Sequence, residues 1–398
     1  MAAEDPGDPL SQPDPDGGWS ESLETLEGAV VVPPTEGGFV QPAGILAADG
    51  AYCPRGALWR KYRPLTTEPA PPAEVPETLA GRWLWGGVLW AHFGHFMVES
   101  TARLWAAEAA AEAAAEAGPL EGILFMPRRP TAGEAVRRFH EEVIGQFAPD
   151  LPIHVAVEPT RVESLVVPGQ GFGLGRISAG TPAFRAAVHG RFGAGIAAEG
   201  PERIYISRSA LGLQKGGLLG EERLESLLAA EGYEIFHPEQ HDIPTQIARY
   251  KAARQIVGAD GSALHLFAMV GRAEQQVAMV MRRRSTANNL LALNLTSFCG
   301  RAPLLINALH TEWLRADKQR SNRLSFGELD PPAIGAALES AGFVSDGDWP
   351  ATREEDRVAE FEAKGLGRKG RFVESPTQVR RRVRAERRAR RDAPGDSQ

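Results

Sequence analysis

Cysteine is scarce in this chain. Only Cys53 and Cys299 occur among 398 residues, too few for a disulfide framework or a cysteine-based zinc site. That usage fits a reducing compartment. No run of about 18 or more apolar residues occurs, so no membrane span is expected. Residues 1–18 are acidic, polar and rich in proline, without an apolar h-region, so no signal peptide is expected either. A surplus of positive charge is also missing. The formal net charge of -7 gives no general nucleic-acid signal, and DNA is not an expected partner. There are no internal repeats. What is present is length and apolar content: 43% of residues are hydrophobic, enough for two domains with buried cores and a tail.

Residues 1–20 read as a disordered segment. Residues 28–47 carry β-branched pairs broken by proline and glycine, which predicts short strands, and 66–76 form a proline-rich loop. A turn at Gly86-Gly87 is expected to lead into a helix over 91–105. The alanine-rich stretch 106–117 continues as a strong helix with Glu108, Glu112 and Glu116 on one solvated face. Gly118-Pro119 stops it. Strands over 122–126, 154–157 and 164–167, with helices over 132–146 and 182–192, predict a first α/β domain. A glycine-rich loop spans 170–175.

From residue 204 the alternation sharpens. Strands over 204–207, 233–236, 255–258, 276–281 and 304–308 alternate with helices over 218–231, 244–254, 263–270 and 288–298. Repeated βα units of this length imply a parallel sheet covered by helices on both faces. Ligands in such sheets bind beyond the carboxyl ends of the strands. Another helix is expected over 331–343, and beyond Trp349 the composition turns charged and polar. The domains are expected at 21–195 and 196–315, with a helical, charged extension over 316–398. It ends in a basic run of Arg380, Arg381, Arg382, Arg384, Arg387, Arg388, Arg390 and Arg391. Such a run fits an anionic membrane surface or RNA, and equally a solvated helix or loose tail.

Residues 255–270, QIVGADGSALHLFAMV, read as strand, tight turn and helix N-terminus. Backbone N–H groups in the first helical turn favour an anion there. Gly258 and Gly261 allow close approach to the backbone. Ser262 and Ala263 open the helix, where Ser262 can cap it or bond a phosphate. Asp260 can brace the turn, and His265 lies one turn into the helix. An ordinary strand-to-helix turn has the same composition.

On a regular helix His92, His95, Glu99 and Arg103 fall on one face at i, i+3, i+7 and i+11. Glu99 can pair with Arg103 or orient His95 as an acid–base group. A purely structural His–Glu–Arg network fits the same spacing, and a metal site at His92, His95 and Glu99 lacks a further ligand with strong spacing. Ser207 and Arg208 follow a strand, and Arg208 suits bidentate phosphate contact. Lys215 lies in the following glycine-rich loop. Glu239 and Gln246 stand where a ribose or base can be read.

At these residues the sequence resembles the family-61 glycosyltransferases, including bacterial members linked to capsule and other surface polysaccharides. Gly94-His95-Phe96 to Glu99, with Arg103-Leu104-Trp105, is similar to one family block, and residues 204–208 to a second. The third is the run from Ala229 to Leu264, including Gly232-Tyr233-Glu234, Pro238-Glu239, Gln246-Ile247 and Gly261-Ser262-Ala263-Leu264. Asp260 stands where the family usually has His, and His265 where it often has Asn. The resemblance implies two Rossmann-like domains of GT-B type, the first facing the acceptor and the second the nucleotide. It implies inverting transfer of a hexosyl or pentosyl group from a nucleotide sugar to a saccharide hydroxyl. His95 is then the base oriented by Glu99, with His92 and Arg103 on the acceptor side. The donor side comprises Ser207, Arg208, Lys215, Glu239, Asp260, Gly261, Ser262, Ala263 and His265. No metal and no further cofactor are expected. The expected location is the cytoplasm, peripheral to the inner membrane face if the arginine tail binds lipid. A non-catalytic nucleotide- or glycan-binding protein on the same fold is the alternative.

Overall fold

The computed structural model describes residues 7–130, 136–285 and 287–392. Three sheets organise them. The first is mixed and runs in the order Ile153–Val155, Leu120–Pro127, Glu77–Leu89, Thr160–Pro168, Val30–Val32, Gly44–Leu46, with Leu23–Glu27 antiparallel to Thr160–Pro168. Its first four strands are parallel. The second sheet is wholly parallel, in the order Glu234–Phe236, Arg203–Ile206, Gln255–Ala259, Gln276–Val280, Leu304–Ile306. Its strands are nearly continuous apolar runs, as burial on both faces requires. The helices Glu221–Ala230, Ile243–Ala252, Ala263–Val270 and Ala287–Cys299 connect them.

The two larger sheets share one core. Phe96, Phe125 and Phe147 from the first half and Phe236, Tyr250 and Phe267 from the second belong to a single buried cluster. Phe172 stacks on Phe184 at 4.7 Å, and Phe298 meets both edge-on. The two larger sheets are therefore joined by a continuous apolar core.

Four expectations are corrected. Gly86-Gly87 is not a turn but lies inside the long strand Glu77–Leu89. The register shifts between Trp85 and Gly87, a bulge. A Cβ on Gly86 would come within 2.4 Å of the Phe125 ring, and Gly87 has φ 95° with Arg103 packed against it. The glycines serve close packing there, not chain reversal. The helix expected over 91–105 is broken into one α-turn, Phe93–His95, a π-turn, Phe96–Ser100, and a 3-10 turn, Leu104–Ala106.

The helix expected from 218 begins at Glu221, because Leu218 and Leu219 pair with Gly327 and Glu328 in the third sheet. That sheet, ordered Gly217–Leu219, Phe326–Leu329, Leu309–Arg315, Phe372–Glu374, also corrects the reading of 316–398 as a helical extension. Two of its strands lie there, and they pair with Leu309–Arg315 and Gly217–Leu219. Of the helix expected over 132–146, Arg138–Ile144 is helical, and residues 131–135 lie outside the described residues.

The arginine run forms the helix Pro376–Asp392. Gln378 Nε2 donates to buried Glu312 at 2.7 Å, and Arg382 pairs with Glu374 at 2.6 Å. The side chains of Arg387, Arg388, Arg390 and Arg391 lie outside the described residues. Among the described residues no helix is long and apolar enough to cross a membrane.

Candidate active site

The π-turn sets the geometry around His95. Its extra residue per turn changes the facing of everything after it, so Glu99 and Arg103 part company. Glu99 turns inward and is 2% exposed. Its Oε2 lies 3.0 Å from His95 Nδ1, and Arg60 grips both oxygens, Nε to Oε1 at 2.6 Å and Nη2 to Oε2 at 2.5 Å. Burial pushes the Glu99 carboxyl up, but the hydrogen bonds from His95 and Arg60 outweigh it and hold the group below its ordinary value. The carboxylate is thus charged, and Arg60 Nη2 also lies 3.1 Å from His95 Nδ1. In the tautomer with its proton on Nδ1, the ring donates to Glu99 and keeps the lone pair on Nε2. The ring stacks on Trp90, centroids 4.5 Å apart, and its side chain is 31% exposed. A histidine held by a buried carboxylate on one edge and open on the other is suited to general-base work.

Arg103, expected on the acceptor side and as a partner of Glu99, is neither. It is 3% exposed and donates to Pro168 O and to Ala57 O, the latter at 2.7 Å. It ties three segments of the first half together beneath the strand. His92, half-buried, precedes the α-turn with an extended backbone. Burial first, then the charges of His95, Arg323 and Lys215, lower its pKa to about 4. Those last two cations come from the second half, so His92 looks across the cleft.

The opposite wall is the turn at Gly261. Arg208 leaves the carboxyl end of Arg203–Ile206 and lays its guanidinium along this turn: a Cβ on Gly261 would stand 2.7 Å from Arg208 Nη1. Arg208 Nη2 donates to Lys215 O at 3.3 Å, and Nε has no partner. Burial, then the positive charge of Arg282, lowers its pKa to about 10, against the pull of Glu221 and Asp260. The group remains a cation. Arg283 is lowered by burial and by Arg282 in the same way. Crowded cations with unpaired N–H groups call for an anion. The helix Ala263–Val270 adds its first-turn amides.

Two donor-side expectations are corrected. Asp260 is 2% exposed and committed to Arg282, whose Nε lies 2.6 Å from Oδ1. It braces the turn, and its carboxylate is spent there. Ser207 is 1% exposed, and its hydroxyl donates to Glu225 at 2.5 Å. It fixes the loop after the strand. Ser262 makes no side-chain cap bond, and Ala263 follows it into the helix. Gln246 is buried and donates to Pro238 O and His241 O at 2.8 and 3.0 Å, so it shapes the loop holding Glu239. Glu239 itself is exposed beyond the strand Glu234–Phe236, and Lys215 is exposed on its short 3-10 turn.

The two walls meet at Gly94 and Ser262, where a Cβ on Gly94 would stand 3.0 Å from Ser262 Cβ. His265 sits just behind. Its Nδ1 is 3.0 Å from Asn294 Oδ1, and burial, with His95 contributing, lowers its pKa to about 4. His95 and the Gly261 turn are therefore brought together, as the sequence blocks predict. Arg60, Trp90, Arg282, Arg283 and Arg323 join them without having been read from sequence. The Arg282-Arg283 pair directly follows a strand and could have been found by the same rule that marked Arg208. Arg60 carries no local signal. Among the described residues no group of three or more His, Cys, Asp or Glu side chains is placed to hold a metal ion.

A mixed α/β architecture with several parallel sheets and a polar cleft fits an α/β glycosyltransferase. Residues 93–277 match the family model Glycosyltransferase 61, which supports a glycosyltransferase and bears out the resemblance to family 61. The match spans both walls of the cleft, from the His95 turn to the strand after Gly261. A glycosyltransferase implies a sugar donor and an acceptor. No curated protein matches the chain significantly.

Proposed function

We propose that this glycosyltransferase is of GT-B type, inverting and metal-independent, and moves a hexosyl or pentosyl group from a nucleotide sugar to a saccharide hydroxyl in cytoplasmic synthesis of a surface polysaccharide such as capsule. The acceptor-side unit is 21–195 and the nucleotide-side unit 196–315. His95 Nε2 takes the proton of the attacking hydroxyl, and Glu99 stabilises the imidazolium that forms. The acceptor oxygen bonds to the anomeric carbon as its bond to the diphosphate breaks. The negative charge left on the nucleoside diphosphate is met by Arg208, Lys215 and the amides of Gly261, Ser262 and Ala263, donors aimed where charge develops. These groups carry the load a metal carries elsewhere. His265 and Glu239 border the donor, and His92 borders the acceptor.

The observation that carries this reading is the Gly94–Ser262 approach, which sets a carboxylate-oriented histidine across from a cation-rimmed helix N-terminus. A thermal-shift screen with UDP, GDP, CDP and CMP sugars tests it, since a bound ligand raises apparent stability by mass action. Stabilisation by one nucleotide class, with transfer of its sugar to a saccharide, is the expected result. No stabilisation by any of them contradicts the reading.

A further inference from the structure

The short strands Trp59–Arg60 and Arg63–Pro64 form a hairpin closed by Lys61 and Tyr62. Lys61 has φ 58°, the one non-glycine with positive φ among the described residues. Its N–H donates to Leu174 O at 2.6 Å, and a Cβ on Gly175 would stand 2.5 Å from Lys61 Cα. The hairpin is thus clamped, with Lys61 in the left-handed conformation that tight two-residue hairpin loops commonly use.

The clamp builds a ladder of alternating rings and guanidiniums. Arg63 lies over Tyr62 at 5.8 Å and over Phe39 at 4.6 Å. Arg60 lies over Phe39 at 5.8 Å and over Trp90 at 5.0 Å, and Arg128 over Trp90 at 5.1 Å. Trp90 in turn stacks on His95. The outer rungs are open: Tyr62 is 67% and Phe39 51% exposed. Arg128 fixes the loop beneath Phe39 by donating to Gly38 O and Phe39 O at 2.9 and 2.7 Å, while its Nε and Nη1 have no partner. Arg128 feels the charges of Arg60 and Arg129, with Glu99 the one carboxylate against them. Arg60 already neutralises Glu99, so the ladder carries excess positive charge.

We propose that this ladder is the acceptor subsite and that the acceptor is an acidic saccharide bearing carboxylates. Sugar rings stack on the exposed faces of Tyr62 and Phe39, and the carboxylates meet Arg63 and Arg129. The ladder leads the chain end to His95. This rests on the transfer reading above for calling the site an acceptor site.

Affinity electrophoresis through gels containing oligogalacturonate or a neutral dextran tests the inference, with UDP thermal shift run on the same proteins. The wild type is retarded by oligogalacturonate and about tenfold or more weakly by dextran. Tyr62→Ser and Arg63→Gln lose that retardation while melting and the UDP response stay unchanged. Tyr62→Ser alters only a largely exposed side chain and keeps the test open if Arg63→Gln disturbs the hairpin. Equal retardation by both polymers, none by oligogalacturonate, or full retardation of both folded variants overturns the subsite. If saccharide binding fails and UDP still binds, only the subsite falls. If no saccharide binds and none of the UDP, GDP, CDP and CMP sugars raises the melting temperature, the transfer reading fails too.

Discussion

Arg60 and Glu99, 39 positions apart in the chain, form a fork-to-fork ion pair at 2.6 and 2.5 Å behind His95. Glu99 is fully enclosed, so the pair cannot be broken cheaply. Arg60→Met leaves an uncompensated buried charge, and a loss of about 3–5 kcal/mol is expected. Urea denaturation at neutral pH measures it. A loss under about 1 kcal/mol would show that water reaches the carboxylate. The folded pKa of Glu99 is lowered, so its contribution is full above the unfolded value and fades as pH falls through the folded one.

Three histidines bear on acid stability. His92, His140 and His265 each titrate at about 4 in the folded protein, burial being the main cause. His140 is locked neutral, accepting from Arg137 N at 3.0 Å with Nε2 3.1 Å from Trp90 O. Unfolded histidines titrate near ~6.5, so the unfolded chain binds more protons between those values. Their stabilisation is full above about 6.5 and is lost as pH falls toward 4. Glu221 opposes them: burial raises it to about 7, which favours the folded state on acidification. Glu360, also raised by burial, acts with Glu221, but the three histidines together with the lowered Glu99 leave a net fall in melting temperature below pH 6.5. A flat profile from 7 to 4 would contradict the buried neutral state of these rings.

Arg208→Ala should weaken nucleotide binding by roughly 1.5–3 kcal/mol, the scale of a hydrogen bond to a charged group. Calorimetric titration reads this directly. Unchanged affinity in a folded variant removes Arg208 from the phosphate site. Asp260→Asn is expected to act on stability first, because Arg282 then lacks its carboxylate.

The C-terminal helix is anchored by its first turns. Gln378 and Arg382 hold it to Glu312 and Glu374, so a cut before Pro376 should damage the third sheet. Removing residues 385–398 should leave melting and sugar transfer unchanged. If this segment binds anionic lipid, the full chain sediments with acidic vesicles in a salt-dependent way and the shortened chain does not. Equal sedimentation with neutral vesicles ends the membrane reading.

Local signals carried much of the fold. The parallel sheet was legible because its strands are short apolar runs that alternate with the helices Ile243–Ala252, Ala263–Val270 and Ala287–Cys299. The Gly261 turn and Arg208 were legible because both fall at strand ends. The Glu77–Leu89 strand hid its bulge because Gly86-Gly87 has the composition of a turn; only the Phe125 ring across the sheet shows why glycine is there. Periodicity misled at Arg103, since a π-turn breaks the helical phase that placed it with His95. It also could not show that Asp260 and Ser207 are consumed by Arg282 and Glu225. The third sheet was missed because its strands are short and far apart in sequence. Arg60 was missed for the same reason: its role exists only once the hairpin meets Glu99.

The most direct test is turnover by His95→Ala. As the general base, its loss should lower turnover by about 10²–10⁴-fold, with donor affinity nearly unchanged if, as proposed, the nucleotide is held by the opposite wall. Full turnover by a folded His95→Ala protein, or a parallel loss of melting temperature and donor binding, would contradict the account.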